Sequence, residues 1–230
     1  IVATGASPRS IPPLPIDGET VITSRHALEL DDLPESVAIV GGGATGAEFS
    51  YLYNAYGVDV TLIEALPNIL PNEDLDISLE LEKSFSKQGI NIMTGSMVNA
   101  MSKNGNRATL EVLQGDKKIS VEVDKVLVCV GVQANTDGIG LEEVGVELEK
   151  GFIQINDRMA TNVDGIFAIG DVTGELLLAH AASAQAVSCV EHIAGVDNPP
   201  LDYQKIPRAT YCHPQVTSFG ITEQQAKEAG

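Results

Sequence analysis

Positive charge is scarce in this chain: 14 lysines and arginines stand against 32 aspartates and glutamates, giving a formal net charge of -18 and a pI near 4.4. That balance repels phosphate backbones and anionic lipid, so nucleic acid and membrane surfaces are excluded as partners and a small mobile ligand or a basic protein patch is favoured. Long apolar runs are missing too. Nothing approaches the roughly 18 residues a spanning helix needs, and no charged start leads into an apolar stretch as in a secretory signal. Cysteine is sparse and scattered: Cys129, Cys189 and Cys212 form no Cys-x-x-Cys pair and no zinc-like cluster. The expectation is therefore no metal site, and a reducing, cytoplasmic compartment. Each cysteine reads as a small buried hydrophobe, most clearly Cys129 inside Val126-Leu127-Val128-Cys129-Val130. A starting Met is absent as well. Ile1-Val2-Ala3-Thr4-Gly5 reads as a strand already under way, and the last residues, 225–230, as a helix cut short, so a truncated stretch of a longer polypeptide is expected.

What is present is an ordinary globular composition, 230 residues with 43% hydrophobic and 20% charged, enough for one large or two modest cores. The most informative stretch runs from Val37 to Glu64. The apolar run Val37-Ala38-Ile39-Val40 stops at Gly41-Gly42-Gly43-Ala44-Thr45-Gly46, a helix is expected from about Ala44 to Tyr56 with Gly57 as its stop, and a second strand, Val58 to Ile63, ends on Glu64. Gly41, Gly43 and Gly46 thus meet the pattern G-x-G-x-x-G in a strand, turn, helix, strand context. In such a turn the first glycine permits the tight bend, the second lets a pyrophosphate approach the backbone, and the third lets the helix lie close on the sheet. The helix N-terminus offers free N–H groups and a partial positive charge to the phosphates. Glu64 is placed to accept hydrogen bonds from both hydroxyls of the adenosine ribose, which favours NAD over its 2′-phosphorylated counterpart.

Beyond Pro71 the pattern predicts an amphipathic helix over about Leu75 to Gln88, with Ile77, Leu81 and Phe85 inward and Gly89 as the stop. A strand, Ile90 to Met93, follows. Three alternating stretches separated by Asn104-Gly105 and Gln114-Gly115-Asp116 then predict an antiparallel meander before the next buried strand, Val126 to Val130. The expected fold is α/β, a doubly wound Rossmann-like NAD-binding domain over residues 33–131 with a three-stranded meander.

Outside that domain stand Ala3-Thr4-Gly5-Ala6-Ser7-Pro8-Arg9, then Thr161 to Asp171 ending in Ala168-Ile169-Gly170-Asp171, then Leu178-Ala179-His180, and finally Ile206 to Val216 with Gly220-Ile221-Thr222-Glu223. In content and order these resemble the FAD- and NAD-dependent pyridine nucleotide-disulfide oxidoreductase family, most of all the dihydrolipoamide dehydrogenase type. The resemblance spans nearly the whole chain but only the central half or so of a complete member. It implies four segments: residues 1–32 as the end of the first FAD-domain half, 33–131 as the NAD domain, 132–200 as the second FAD-domain segment and 201–230 as the start of a dimerisation domain. Thr4, Gly5, Gly170, Asp171, Leu178, Ala179 and His180 are implied to contact FAD. Asp171 would bind the ribityl chain, and the helix start at Leu178-Ala179-His180 would stabilise reduced, anionic flavin. NAD falls to Gly41, Gly43, Gly46, Glu48, Glu64 and Gly131. For Glu48 two readings stay open, a carboxylate near the nicotinamide and a helix-face acid favoured by the dipole.

The family's activity is a relay from a dithiol through a protein disulfide and FAD to NAD, with the cofactors carrying the difficult chemistry. The resemblance implies a homodimer, a small dithiol or disulfide substrate and service in a 2-oxoacid dehydrogenase complex. No catalytic residue is expected in this chain, because the redox Cys-x-x-x-x-Cys pair is absent from it, so by itself it is expected to be inactive. His213-Pro214 resembles the family's His-Pro-x-x-x-Glu acid/base sequence, but Ser218 stands where the glutamate belongs, so His213 is assigned to an interface strand. His26 and His192 are expected at the surface without partners. Two departures stand out: Val132-Gln133-Ala134-Asn135 replaces the usual Arg-x-Pro-Asn, and Ser183-Ala184 an acidic pair. Alternatives are a mercuric reductase, a coenzyme A disulfide reductase or an NADH oxidase on the same scaffold, and a stand-alone NAD-binding module.

Overall fold

The computed structural model describes residues 1–230 and divides into two compact units, Ile1–Ser7 with Val132–Arg208, and Pro8–Gly131 with Ala209–Gly230. The second unit is built on a five-stranded parallel sheet in the spatial order Val21–Ile22, Lys125–Val128, Ser36–Val40, Asp59–Ile63, Asn91–Met93. The sheet also takes in Val21–Ile22, upstream of residue 33, so this unit is wider than the segment 33–131. Every residue of Ser36–Val40 is buried, as expected of a strand with neighbours on both edges and cover on both faces. Its pairing is set by Val37 opposite Val60 and Ala38 opposite Val126.

Chain order reverses around that strand: Asp59–Ile63 lies on one side, and Lys125–Val128, reached only after the meander, lies on the other. This is the switch point at which open α/β sheets bind ligands. The helix Ala44–Ala55 makes the first crossover and ends where Gly57, at φ +83°, takes the left-handed conformation that lets the chain turn back. The second crossover helix, Leu75–Lys87, stops before Gly89 at φ +96°. Its buried face is Ser78, Leu81 and Phe85, while Ile77 is left exposed, contrary to the expected stripe. The reason is polar: the Ser78 hydroxyl donates to the Leu70 carbonyl and accepts from the Asn68 amide, which rotates the first turn so that Ser78 faces inward.

The meander forms as predicted, Ser96–Asn104, Arg107–Gln114 and Lys117–Val123, with turns at Gly105 and Gly115 and a bulge between Val98 and Ala100. Its inner residues Val98, Ala108, Leu110, Val112 and Val123 pack in one core with Ala38, Val126 and Val128. On the other face, Ala47, Phe49 and Tyr53 of the first helix share a core with Leu81, Phe85, Cys212 and Val216. His213 sits in the turn between the short strands Arg208–Thr210 and Val216–Ser218, not on a strand, and its carbonyl accepts from the Gln88 amide at 2.7 Å. His26 has partners after all. Its Nδ1 lies 2.8 Å from the Thr23 hydroxyl and accepts the Thr23 N–H, capping the helix Ser24–Leu28.

The first unit packs Ala134, Leu141, Val146, Ile153, Ala168 and Val172 into its own core. Its N-terminal residues join through Val2, which bridges in parallel to Ala168. A hairpin, Leu148–Glu149 with Phe152–Ile153, turns through Lys150 and Gly151, both at positive φ. The long helix Ala179–Ile193 buries Ala181, Gln185, Ser188 and Cys189, a helical stripe of small residues interrupted by one amide. No helix in either unit is long and apolar enough to cross a membrane.

Candidate functional site

The structure sorts the sequence candidates by unit. Gly41, Gly43, Gly46, Glu48, Glu64 and Gly131 all belong to the unit with the parallel sheet, and Thr4, Gly5, Gly170, Asp171, Leu178, Ala179 and His180 all belong to the other.

In the sheet unit, Gly41 follows the central strand at φ +108° and hydrogen-bonds from its N–H to the Ile63 carbonyl at 2.8 Å. A Cβ on Gly41 would lie 2.3 Å from the Cys129 carbonyl oxygen, and one on Gly46 would lie 1.8 Å from the Gly41 oxygen. Both glycines are therefore demanded by the protein's own packing. Gly43 differs, because a Cβ there meets nothing within 4 Å and its φ of -71° suits any residue. Packing inside the protein does not require a glycine at this place; glycine is a favoured N-cap, and the space beside it is open to a ligand.

Gly43 is also the N-cap of the helix. The first intrahelical bond runs from Ala47 to Gly43 at 2.9 Å, which leaves the N–H groups of Ala44, Thr45 and Gly46 ahead of it without an acceptor inside the helix. No side chain caps this end and no acidic residue stands in the first turn. The local field is therefore positive and open to an anion.

Glu64 is buried, at 8% exposure, and its carboxylate accepts two backbone N–H bonds, from Gly42 at 2.5 Å and from Leu66 at 2.7 Å. A carboxylate offers about four acceptor positions, so two remain for hydroxyl groups. The bond to Gly42 ties the end of one strand to the turn after another. Gly42 itself, overlooked in the motif as a variable position, is tightly enclosed: its Cβ would lie 3.0 Å from Ile69 and 3.1 Å from Glu64, so those side chains would have to give. Its carbonyl accepts from Leu70 at 2.8 Å, and Leu70 is held at φ +46° although it is not a glycine. The run of three glycines was the one local signal for Gly42; Leu70 carried none.

Glu48 lies on the same helix, and its Oε1 accepts the Tyr211 N–H at 2.8 Å. The carboxylate thus anchors the C-terminal segment of its own unit, a contact invisible in the local sequence. Gly131 is exposed at φ +97°, and its carbonyl accepts from Arg9. Cys129 and Cys212 are poor nucleophiles: burial pushes the thiol of Cys129 up to about 12, and burial with the nearby Glu48 charge pushes Cys212 up to about 11.

In the other unit, Thr4 and Gly5 are tied to Asn135: Thr4 Oγ1 donates to its carbonyl at 2.7 Å, and the Gly5 carbonyl accepts its N–H at 2.9 Å. Asp171 sits in a short 3-10 turn, Gly170–Thr173. Gly170 adopts φ +73°, its N–H donates to Gln185 Oε1 at 2.6 Å, and its carbonyl accepts from Thr173 Oγ1 at 2.8 Å. The half-buried Asp171 carboxylate makes no hydrogen bond or ion pair. Leu178 caps the long helix in an extended conformation, so the N–H groups of Ala179, His180 and Ala181 precede the first intrahelical bond, from Ala182 to Leu178. The exposed His180 ring donates from Nε2 to the Pro207 carbonyl at 2.8 Å.

A parallel sheet whose glycine turn stands at the switch point, with a buried carboxylate latched to it, defines a doubly wound α/β protein of the dinucleotide-binding class. The family model described as pyridine nucleotide-disulphide oxidoreductase matches residues 1–186, and the chain belongs to that family. It is 47% identical over its full length to dihydrolipoyl dehydrogenase of Mycobacterium leprae, 46% to that of Chlorobaculum tepidum and 42% to that of Bacillus subtilis. It spans about half the length of these curated relatives, 50%, 49% and 49%. Among solved structures, 99% of the chain superposes on 49% of LpdA from Mycobacterium tuberculosis with a TM-score of 0.91 and 33% identity. An HOCl-induced flavoprotein disulfide reductase from Escherichia coli, RclA, is matched over 52% of its chain with a TM-score of 0.86 and 30% identity.

The residues present fit the two cofactors that this family implies. The space above Gly43, the free N–H groups behind it and the spare acceptor positions of Glu64 suit a pyrophosphate joined to a ribose. The unpartnered Asp171 carboxylate on a pinned turn, followed by an uncapped helix start, suits a polyol chain and a ring that takes up negative charge.

Proposed function

We propose that this chain is the NAD-binding unit and part of the FAD-binding unit of a dihydrolipoamide dehydrogenase-like flavoprotein, which passes electrons from a dithiol through a protein disulfide and FAD to NAD. The observation that carries this reading is the open place above Gly43, the one glycine of the motif that the protein's own packing does not demand. Bound FAD and NAD supply the two-electron chemistry. The chain's own groups position it. Ala44, Thr45 and Gly46 donate N–H bonds to the pyrophosphate, and Glu64 accepts from the ribose hydroxyls and repels a 2′-phosphate. Two unit charges about 4 Å apart interact by roughly 4 kcal/mol at an effective dielectric near 20, well above the tenfold preference that about 1.4 kcal/mol represents. Asp171 accepts from the flavin's polyol, and the start of the helix Ala179–Ile193 favours negative charge on the ring.

Cys129, Cys189 and Cys212 are free and far apart in sequence, and none supplies the disulfide of the relay. The finer assignments, a homodimer, a small dithiol substrate and a 2-oxoacid dehydrogenase complex as partner, rest on the likeness to dihydrolipoyl dehydrogenases. Calorimetric titration of this chain with NAD and with its 2′-phosphorylated form tests the reading. NAD is expected to bind at least about tenfold more tightly. Equal affinities, or no binding of either, would refute it.

A further inference from the structure

The long helix Ala179–Ile193 buries one side chain that its packing does not explain. Gln185 is 1% exposed, among small neighbours such as Ala181 and Cys189. Burying an amide costs free energy unless its donor and acceptor are both used. Both are. Oε1 accepts the Gly170 N–H at 2.6 Å, and Nε2 donates to the Tyr203 hydroxyl at 2.8 Å, which in turn points to Met159 Sδ at 3.8 Å.

We propose that Gln185 is the positioning residue of the flavin-binding turn, fixing the Gly170 peptide so that the Asp171 carboxylate is aimed at its ligand before the ligand arrives. The proposal rests on the reading of Asp171 as a flavin contact. Gly170 is held on both sides, its N–H by Gln185 and its carbonyl by Thr173. The far end of the turn is closed by Gly174 at φ +73°, where a Cβ would lie 2.7 Å from the Phe152 ring. Asp171 is therefore the one member of the turn with a polar side chain left free. Of the two hydrogen-bonding clamps on Gly170, Gln185 is the one that comes from a distant element, and it is itself braced by Tyr203. A preorganised carboxylate binds without first giving up its own freedom.

The test uses the complete polypeptide encoded by the gene, with FAD affinity, the flavin's visible circular dichroism and hydrogen exchange at the Gly170 amide as readouts. Gln185→Leu keeps the size and removes both hydrogen bonds. It should weaken FAD binding by about tenfold or more, alter the flavin dichroism and speed exchange at Gly170. Gln185→Glu, which burial keeps protonated and neutral, should restore binding to within about threefold, because its carbonyl oxygen accepts from the Gly170 N–H and its O–H donates to the Tyr203 hydroxyl as the amide does. A folded Leu variant that holds FAD like the original, or a Glu variant as weak as the Leu variant, overturns the proposal. Should the Leu variant not fold, Tyr203→Phe decides, since it frees the Gln185 amide without touching the turn. A severalfold loss of FAD affinity is then expected, and unchanged affinity overturns the proposal. An original polypeptide that binds no flavin sinks the reading of Asp171 itself, a result distinct from a flavin-bound original whose Gln185 variants match it.

Discussion

Glu64 latches the glycine turn and is proposed to bind the ribose with the same carboxylate, and substitutions separate the two roles. Its two N–H partners, Gly42 and Leu66, hold the glycine turn against the neighbouring strand end, while its remaining acceptor positions are proposed to take the ribose hydroxyls of the ligand. Glu64→Ala removes the repulsion of a 2′-phosphate, but it also leaves a buried N–H without a partner, at a cost of about 1–3 kcal/mol. The alanine variant should therefore unfold at lower temperature and bind both nucleotides weakly. Glu64→Gln keeps one acceptor oxygen and loses the charge. It should bring the two affinities closer together with a smaller loss of stability, and calorimetry with thermal unfolding of both variants checks the contrast. If Glu64→Ala keeps full stability and simply exchanges one nucleotide for the other, the latch has no role.

At the scale of the element, the glycine turn and its helix make a sharper prediction, because the three motif glycines are required for different reasons. Gly46→Ala pushes a Cβ to 1.8 Å from the Gly41 oxygen, so the helix must move off the sheet and the variant should be strongly destabilised. Gly43→Ala has free space and a permissive φ, so its cost to folding is confined to alanine being a poorer N-cap than glycine, about 1 kcal/mol and far less than for Gly46→Ala. NAD affinity should nonetheless fall by at least about tenfold, because the new methyl occupies the place proposed for the pyrophosphate. Denaturant unfolding and NAD titration of both variants provide the check; a Gly43→Ala chain with unchanged NAD affinity would remove the chief support for the site. The same element shows what could be read in advance. The bounds of the helix Ala44–Ala55 and its stop at Gly57 were legible because helix length, apolar spacing and a left-handed glycine are local properties. The inward turn of Ser78 in the next helix was not, because its cause is a hydrogen bond to Leu70 across a loop.

The whole molecule carries a large excess of negative charge, yet one of its carboxylates is clamped by a cation. Asp17 pairs with Lys103 of the meander and accepts the N–H groups of Glu19, Thr20 and Val21. Burial pushes its carboxyl up, but Lys103 and the three N–H groups outweigh this and hold it well below the usual carboxylate range. A depressed carboxyl stabilises the fold fully above its unfolded pKa, near 3.9, and loses that contribution as pH falls towards the folded value. Asp17→Asn keeps the acceptor oxygen but not the charge. The gap in melting temperature between original and variant should be greatest above about pH 5 and close towards pH 2. The pair is part-exposed, so high salt should narrow the gap as well. A gap independent of pH would mean that the hydrogen bonds alone matter.

By itself the sequence determined the parts whose physics is local. From Ser36 to Val128 the order of strands and helices, the meander and the turn at Gly41, Gly43 and Gly46 all follow from apolar period, glycine stereochemistry and turn residues within a few positions of one another. Glu64 was legible too, because a strand of known length sets where its end must fall. The tertiary structure decided everything that depends on residues far apart meeting. It brought Ile1–Ser7 to Val132–Arg208 and Ala209–Gly230 to the sheet unit, set Gln185 against Gly170 and Glu48 against Tyr211, and gave Glu64 its bond to Gly42. Such pairings leave no periodicity to read, because a buried hydrogen bond requires only that its two partners meet in space, whatever length of chain lies between them.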